Sequence, residues 1–400
     1  MFPSISMENE KLFYITLCYV IMISNRNEGN KLFKQKKKNY SNIDWKLPLI
    51  VALLCIFGLV ILYSATLSMH STKYIKTQII ATILGILLIG VLTLMDFDLI
   101  KKLSIPLYVL GNALLVLTLI KGVGGTEWGA DSWLRIGSIS FQPSEFMKII
   151  LILSLALMIE KYHERINEPK VLLGLLIFAF IPVALIGLQP DFGTAVVFVF
   201  FIVLMFYAAG LHFKYFLGAL GLIILSVPVG LFLFKSHQLN RIRVFLNPES
   251  DVTGIGWQFN QGTLAVGSGR LKGRGLFHGT QTQYDFISLK ENDYIFAVLA
   301  EELGFIGTLI LIVLYFFLLN YLIEFAKESE DVYGRVMYIG FAAMLLFHIF
   351  ENIGMVIGVM PVTGIPLPFM SYGGTFQIIN LGIIGLVLSH QSQRKTYYYE

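Results

Sequence analysis

Apolar runs close to 20 residues long recur along most of this chain, and that feature constrains its fold more than any other. A run of this length crosses the ~30 Å hydrocarbon core of a bilayer as an α-helix. The runs are Leu47–Leu67, Ile75–Met95, Leu103–Ile120, Ser144–Glu160, Val171–Leu188, Phe192–Ala209, Leu211–Phe234, Tyr294–Ala326, Val336–Val359 and about Gly373–His390. They predict an all-α polytopic membrane protein with about ten transmembrane helices. A membrane β-barrel is excluded, because its strands would be ~10 residues long with alternating polarity. Composition agrees: 56% of residues are hydrophobic and 14% charged, against about 25% charged in a soluble chain. The two cysteines, Cys18 and Cys55, sit in apolar runs and build neither a disulfide framework nor a metal site.

Three regions follow. Residues 1–43 form a basic N-terminal extension with a short apolar run, Leu12–Ser24. That run reads either as an interfacial helix or as sequence upstream of the real domain, with Met22 as an alternative start. Residues 44–390 are the membrane domain, and 391–400 are a tail. Between the seventh and eighth spans hangs one large loop, 235–292. It is rich in Gly but carries too many aromatic and aliphatic residues to read as disordered, and long ordered loops are usually functional.

Lys and Arg near span ends set orientation. The lysines at 31, 34, 36, 37 and 38 mark the cytoplasmic side before the first span. Counting spans from there puts Lys101/Lys102, Lys161/Arg165/Lys170, Lys214, Lys327/Arg335 and Arg394/Lys395 on that same side. The large loop is then extracytoplasmic, as are the loops at 121–143, 188–191 and 360–372. No internal repeat is recognisable.

Several residues could carry chemistry. Asp293 ends the large loop where the apolar helix YIFAVLAEELGF begins, with Asn292 a plausible N-cap. It is either a first-turn acid matching the helix dipole or a general base facing a groove. Glu145 and Lys148, in QPSEFMKII, are i and i+3 and share a helix face. Charges there either face solvent or line a cavity, since they are costly in lipid. Glu301 and Glu302 lie about two turns inside the eighth span, with His348, Glu351 and Asn352 as candidate partners on a facing span. In the loop, Arg241 with Arg243, and Arg270, Lys272 and Arg274, read either as a solvated or headgroup-facing surface or as an anion site for a pyrophosphate. Trp128 and Trp133 read as interfacial aromatics. Pro361, Pro366 and Pro368 forbid a regular helix, so that stretch must be buried in protein or line a cavity.

At these residues the chain resembles the SEDS family (shape, elongation, division and sporulation). The resemblance rests on NIGMVIGVMPVTGIPLPFMSYGGT, SWLRIGSISFQPSEFMK, QPDFGTA and DYIFAVLAEELGFIG, in one register from about Asp44 to His390. FLNPESDVTGIGW and GTQTQ resemble its RodA (elongation) branch more than its FtsW (division) branch. The resemblance implies an inverting peptidoglycan glycosyltransferase of the bacterial cytoplasmic membrane. It would polymerise lipid II beside a class B penicillin-binding protein and other cell-elongation proteins, and it implies no nucleic-acid partner. It places the catalytic acid on Asp293, with Glu145 and Lys148 supporting it. Glu301 and Glu302 join the polar support. Trp133, Gln142, Gln189, Asp191, Gln281 and Ser371 join the loop cations as candidate contacts to substrate or pyrophosphate. The leaving diphosphate needs charge stabilisation, from these cations or from a divalent metal. The loops read as external carry no Asp-x-Asp motif, so neither a metal nor a cofactor is assigned.

The chain departs from the family beside the acid. Ile287-Ser288-Leu289 stands for Leu-Pro-Glu, Glu291-Asn292 for His-Thr, Tyr284-Asp285 for Leu-Asn, and GSGR for GSGG. Two other classes stay open: a transporter of lipid-linked oligosaccharides, which cavity-lining charges and a broken span also fit, and a non-catalytic scaffold for cell-wall enzymes, which the altered loop allows.

Overall fold

The computed structural model describes residues 43–124, 132–136, 139–221, 236–251 and 253–393. The N-terminal extension before residue 43, the end of the seventh run, Trp128 and the tail beyond 393 lie outside them.

The apolar runs are helices. In chain order they are α1 (Lys46–Leu67), α2 (Lys73–Leu94), α3 (Phe97–Lys121), α4 (Pro143–Tyr162), α5 (Pro169–Leu188) and α6 (Phe192–Ala208). A further helix, α7, begins at 213 and is described to 221. Six described helices are long and apolar enough to cross a membrane, and the protein is a multi-pass membrane protein. Their starts follow local rules. Pro143 and Pro169 open α4 and α5, where a missing N–H costs nothing. Asp96 and Asp191 cap α3 and α6 by accepting from the Asp98 and Thr194 amides.

The large loop is folded. It holds α8 (Ser236–Leu246), α9 (Ile255–Gly269) and the single turn α10 (Thr280–Gln283). After it come α11 (Ile295–Lys327), α12 (Val332–Val356) and α13 (Gly374–Ser392). A two-stranded antiparallel hairpin, β1 (Leu134–Ile136) with β2 (Ile139–Phe141), precedes α4. The all-α expectation did not include it.

Helix α12 is the axis of the bundle. Of its most apolar stretch 78% is buried, against 22–44% for the other five candidate spans. It packs on α4, α6, α9 and α11, while α13 lies along α2 and α1 packs on α11. The outer helices keep apolar side chains exposed, Ile80, Leu87, Leu173 and Phe316 among them, as a face in contact with lipid requires.

Helix α11 is broken. Gly304 has φ +64 inside it, a conformation that costs a residue with a Cβ. An added Cβ would lie 2.2 Å from the Gly273 nitrogen and 2.8 Å from the Gly269 oxygen. Gly304→Ala is therefore expected to lose more than about 2 kcal/mol of stability from backbone strain plus overlap, read as a lower melting temperature in detergent. The basic-loop reading of orientation predicts a second result. Gly267→Cys should react with an impermeant maleimide in intact cells, and Glu330→Cys only after permeabilisation.

Candidate active site

Asp293 does not sit in the first turn of a helix. Residues 288–294 form successive turns, α11 opens at Ile295, and Tyr294 rather than Asn292 occupies the N-cap position, with no side-chain cap bond. Asp293 therefore takes its place from tertiary contacts. The carbonyls of three consecutive residues are held by the proline-rich segment and the end of α12. Glu291 O accepts from the Tyr372 amide at 2.8 Å, Asn292 O from Ser371 Oγ at 2.7 Å, and Asp293 O from Asn352 Nδ2 at 2.9 Å. Asn352 also donates to Ile365 O at 2.8 Å, so one amide joins both strands of the site. The carboxylate faces Gly364, where a Cβ would stand 3.2 Å from Oδ2.

The charges near it are mixed. Arg241, on α8, donates through Nη1 to Thr363 O at 3.1 Å, and Thr363 Oγ1 donates to Glu351 Oε1 at 2.9 Å. Burial pushes the half-buried Asp293 carboxyl up to about 7; Glu291 adds to the rise and Arg241 opposes it. Burial also raises Glu291, whose Oε2 has no hydrogen-bond partner. A carboxyl tuned toward neutrality is suited to taking a proton near physiological pH.

The proline-rich segment between α12 and α13 explains many polar residues in the spans. Its non-helical backbone needs partners that hydrocarbon cannot supply. Tyr315 hydroxyl donates to Pro368 O at 2.6 Å, Gln78 Nε2 to Ser371 O at 3.1 Å, and Ser371 Oγ accepts from the Leu367 amide at 2.8 Å. His348 Nδ1 lies 3.3 Å from Pro366 O.

A second cluster lies on α4. Lys148, 1% exposed, binds Glu145 Oε1 at 2.8 Å and His348 Nε2 at 2.9 Å. Gln142 Nε2 donates to Asp191 Oδ2 at 2.8 Å, and Asp191 also feels the Lys148 charge. Glu145 and Lys148 thus reach the Asp293 region only in relay, through His348 and the carbonyls of Pro366 and Ile365.

A third cluster corrects an expectation. Glu301 and Glu302 do not pair with His348, Glu351 or Asn352. Glu301 accepts from the Gln281 amide at 2.7 Å, the Thr282 amide at 3.0 Å and Thr282 Oγ1 at 2.8 Å. Glu302 Oε1 accepts from Ser64 Oγ at 2.6 Å and Gln283 Nε2 at 3.3 Å. The reason is local: α10 has free amides at its start, and these acids, just before the break, answer them and α1 rather than α12. Gln281 belongs here, and Gln189 donates to Leu115 O at 3.0 Å. Trp133 pairs with Val123 in a β-bridge, and Arg243, Arg270, Lys272 and Arg274 are exposed. Of the candidate contacts, Arg241 and Ser371 are brought to the Asp293 turn.

Sequence reasoning missed Lys290. It is 1% exposed, paired with Asp285, and bonded to Ser68 Oγ and Thr282 O. The pair holds the Asp285 carboxyl below its usual range and ties the loop to the end of α1. Nothing in a polar run marks one lysine as buried. Gln78 had a signal, as a lone amide in an apolar run.

This is a multi-pass helical bundle with an acid-bearing, proline-walled site at one end. The family model for FtsW/RodA/SpoVE cell cycle proteins matches residues 44–396. The chain is 36% identical over 366 residues to the probable peptidoglycan glycosyltransferase FtsW of Trichlorobacter lovleyi, covering 89% of this chain and 94% of that one. It is 33% identical over 373 residues to the peptidoglycan glycosyltransferase MrdB of Escherichia coli K12, covering 92% and 98%. Among solved structures it matches a chain from a peptidoglycan synthase complex that coordinates polymerization and crosslinking, with TM-score 0.75, 31% identity, and coverage of 87% and 97%. The chain belongs to the FtsW/RodA/SpoVE family.

Removing Lys148 alone would strand Glu145 in a buried site. Lys148→Met should cost about 3–5 kcal/mol, and Glu145→Gln with Lys148→Met clearly less. Thermal unfolding of the two purified variants checks this.

Proposed function

We propose that the chain is a peptidoglycan glycosyltransferase that polymerises lipid II at the bacterial cytoplasmic membrane. Its partners are a class B penicillin-binding protein and, in the elongation reading, other cell-elongation proteins. The observation that carries the proposal is the placement of Asp293. A carboxyl raised toward neutrality is fixed by three backbone anchors next to Arg241, at the end of the bundle.

In this reading Asp293 takes the proton from the acceptor sugar hydroxyl. The oxygen attacks the anomeric carbon of the donor muramyl residue, the bond from that carbon to the diphosphate breaks, and undecaprenyl pyrophosphate leaves with inversion. Arg241 is the cation at hand for the departing diphosphate, with the exposed Arg243 near it on α8. The Lys148 cluster holds the wall through His348 and Pro366, so its role is positional.

Two tests follow. Asp293→Asn keeps size and polarity but removes the base, and loss of a general base typically costs 10²–10⁴-fold in rate. With purified protein and lipid II, glycan polymer should fall by that factor while wild-type chains elongate. Polymerisation within about threefold of wild type would remove Asp293 from the mechanism, and lipid II movement without polymer would favour a transporter.

The second test is pH. Wild-type rate should rise with pH and level off above about 7, as the carboxyl releases its proton. Stability should move the other way. Folded Asp293 keeps its proton up to about 7, whereas an unfolded Asp loses it near 3.9. Between these values the folded chain binds more protons, so stability falls as pH rises through that window. Asp293→Asn should therefore be more stable than wild type at pH 8, an advantage that disappears below about pH 4. Melting curves across pH check this.

A further inference from the structure

The part of α11 after the Gly304 break, Phe305 to Lys327, extends about 35 Å at 1.5 Å per residue, enough by itself for a core of ~30 Å. Exposure shows where lipid begins. From Ile295 to Gly304 no side chain is exposed, and from Phe305 onward Phe305, Ile306, Leu309, Ile310, Ile312 and Val313 all are. The hydrocarbon boundary therefore falls at the Gly304 break, whichever side of the membrane that end occupies.

The loop after α9 is stapled to this break. The Arg274 and Gly275 amides donate to the Glu301 and Glu302 carbonyls at 2.9 and 3.0 Å. In return the Phe305 and Ile306 amides donate to the Arg270 and Leu271 carbonyls at 2.9 and 3.1 Å. Close approach needs glycine: a Cβ at Gly273 would lie 2.0 Å from Glu302 O, and one at Gly269 1.9 Å from Ala300 O. The loop is thus fixed at the depth where headgroups meet acyl chains.

What it displays there is cationic and apolar at once. Arg270, Lys272 and Arg274 are exposed, and Leu271 between them is 58% exposed. Phe277, also exposed, packs edge-on against Tyr63 of α1 at 5.8 Å, giving the aromatic pair expected at such a boundary. Arg270 and Phe277 hold φ of +50 and +68, left-handed values that non-glycine residues adopt at a cost and that often mark functional positions. Among the described residues no ion pair involves the three cations. The Arg274 side chain donates through Nε to Ser268 Oγ at 3.2 Å.

We propose that the stapled loop 270–277 is a binding site for the phosphate headgroup of an anionic phospholipid of the surrounding bilayer, with Arg270, Lys272 and Arg274 on the phosphate and Leu271 and Phe277 among the upper acyl chain. The site is separate from that of Asp293. Glu301 and Glu302, to which the loop is bound, lie 8 and 9 positions further along the chain, about 12 Å as helical rise. Arg241, not this loop, is the cation beside Asp293. Basic residues at a membrane surface attract anionic lipid, and a rigid loop presents them without the ordering cost of a flexible one.

The test uses the full chain in nanodiscs of one part phosphatidylglycerol to three parts phosphatidylcholine. Lipid retained after extraction is counted by mass spectrometry, with no lipid II present, so the outcome does not depend on turnover. Wild type should retain phosphatidylglycerol at least threefold above its share in the disc. Arg270→Gln/Lys272→Gln/Arg274→Gln should fall to the bulk ratio, while Arg270→Lys/Arg274→Lys keeps at least half of the enrichment. Equal retention by wild type and the neutral triple variant overturns the proposal. So does displacement of the retained phosphatidylglycerol by an equimolar amount of undecaprenyl pyrophosphate, which would assign the loop to a lipid-linked diphosphate. If the triple variant is not monodisperse, Lys272→Gln alone decides. A loss of at least a third of the enrichment supports the site, and no loss overturns it.

Discussion

A broken helix leaves amides and carbonyls without partners, and none of them can be left facing hydrocarbon. In α11 the break at Gly304 is closed by another piece of backbone. Four bonds between residues 270–275 and 301–306 exchange donors and acceptors across it. That closure fixes the end of α9, and through it the loop. It also leaves the carboxylates of Glu301 and Glu302 facing the loop and α1, where Glu301 holds the start of α10 and Glu302 meets Ser64. The turns that carry Asp293 then begin from a fixed point, because Lys290 joins Thr282 and Asp285 to Ser68 at the end of α1.

The same requirement shapes the opposite wall. Pro361, Pro366 and Pro368 prevent helix formation between α12 and α13, and the exposed carbonyls must be met by side chains from neighbouring spans. Tyr315, Gln78 and Asn352 each make such a bond, while Ser371, within the segment, accepts from the Leu367 amide. A polar residue in an apolar run is costly unless it is paired, so these residues are explained by the irregular backbone they complete. Asn352 goes further, since its single amide group bonds both that backbone and the carbonyl of Asp293.

Much of this was legible in the residues, and the limits are physical. Run length located the helices α1 to α6 and α11 to α13, with the start of α3 the largest miss at Phe97 instead of Leu103, because bilayer thickness leaves little choice. Asp293 stood out because it ended a polar loop at an apolar run. Its surroundings did not. The Asn292 cap was wrong because the chain makes successive turns before Ile295, held by Ser371 and Tyr372 some 80 positions away. Glu301 and Glu302 find their partners in the loop and α1 rather than on a facing span, and nothing in YIFAVLAEELGF announces a break at a glycine that could also sit in a regular helix. The two basic clusters of the loop carried the same pair of readings, and only the fold sets Arg241 beside Asp293 while Arg270, Lys272 and Arg274 stay exposed.

The departures of this chain from its family gain a physical reading. Tyr284-Asp285 and Glu291-Asn292 lie on the two sides of Lys290. Asp285 pairs with the buried lysine, so an acid at that position keeps a cation inside the loop from being left alone, a state that costs several kcal/mol. Glu291 has the opposite character. It is 8% exposed, with one oxygen unpartnered, and it raises the proton affinity of Asp293. Two carboxyls so placed resist ionising together. Lys290 lies between them in the chain, and its direct partner is Asp285 rather than Glu291, so its charge is spent on holding the loop. The basicity of Asp293 is then set by burial and by Glu291 against Arg241. That balance depends on α8 staying against Thr363, and so on the same proline-rich wall that anchors the Asp293 backbone.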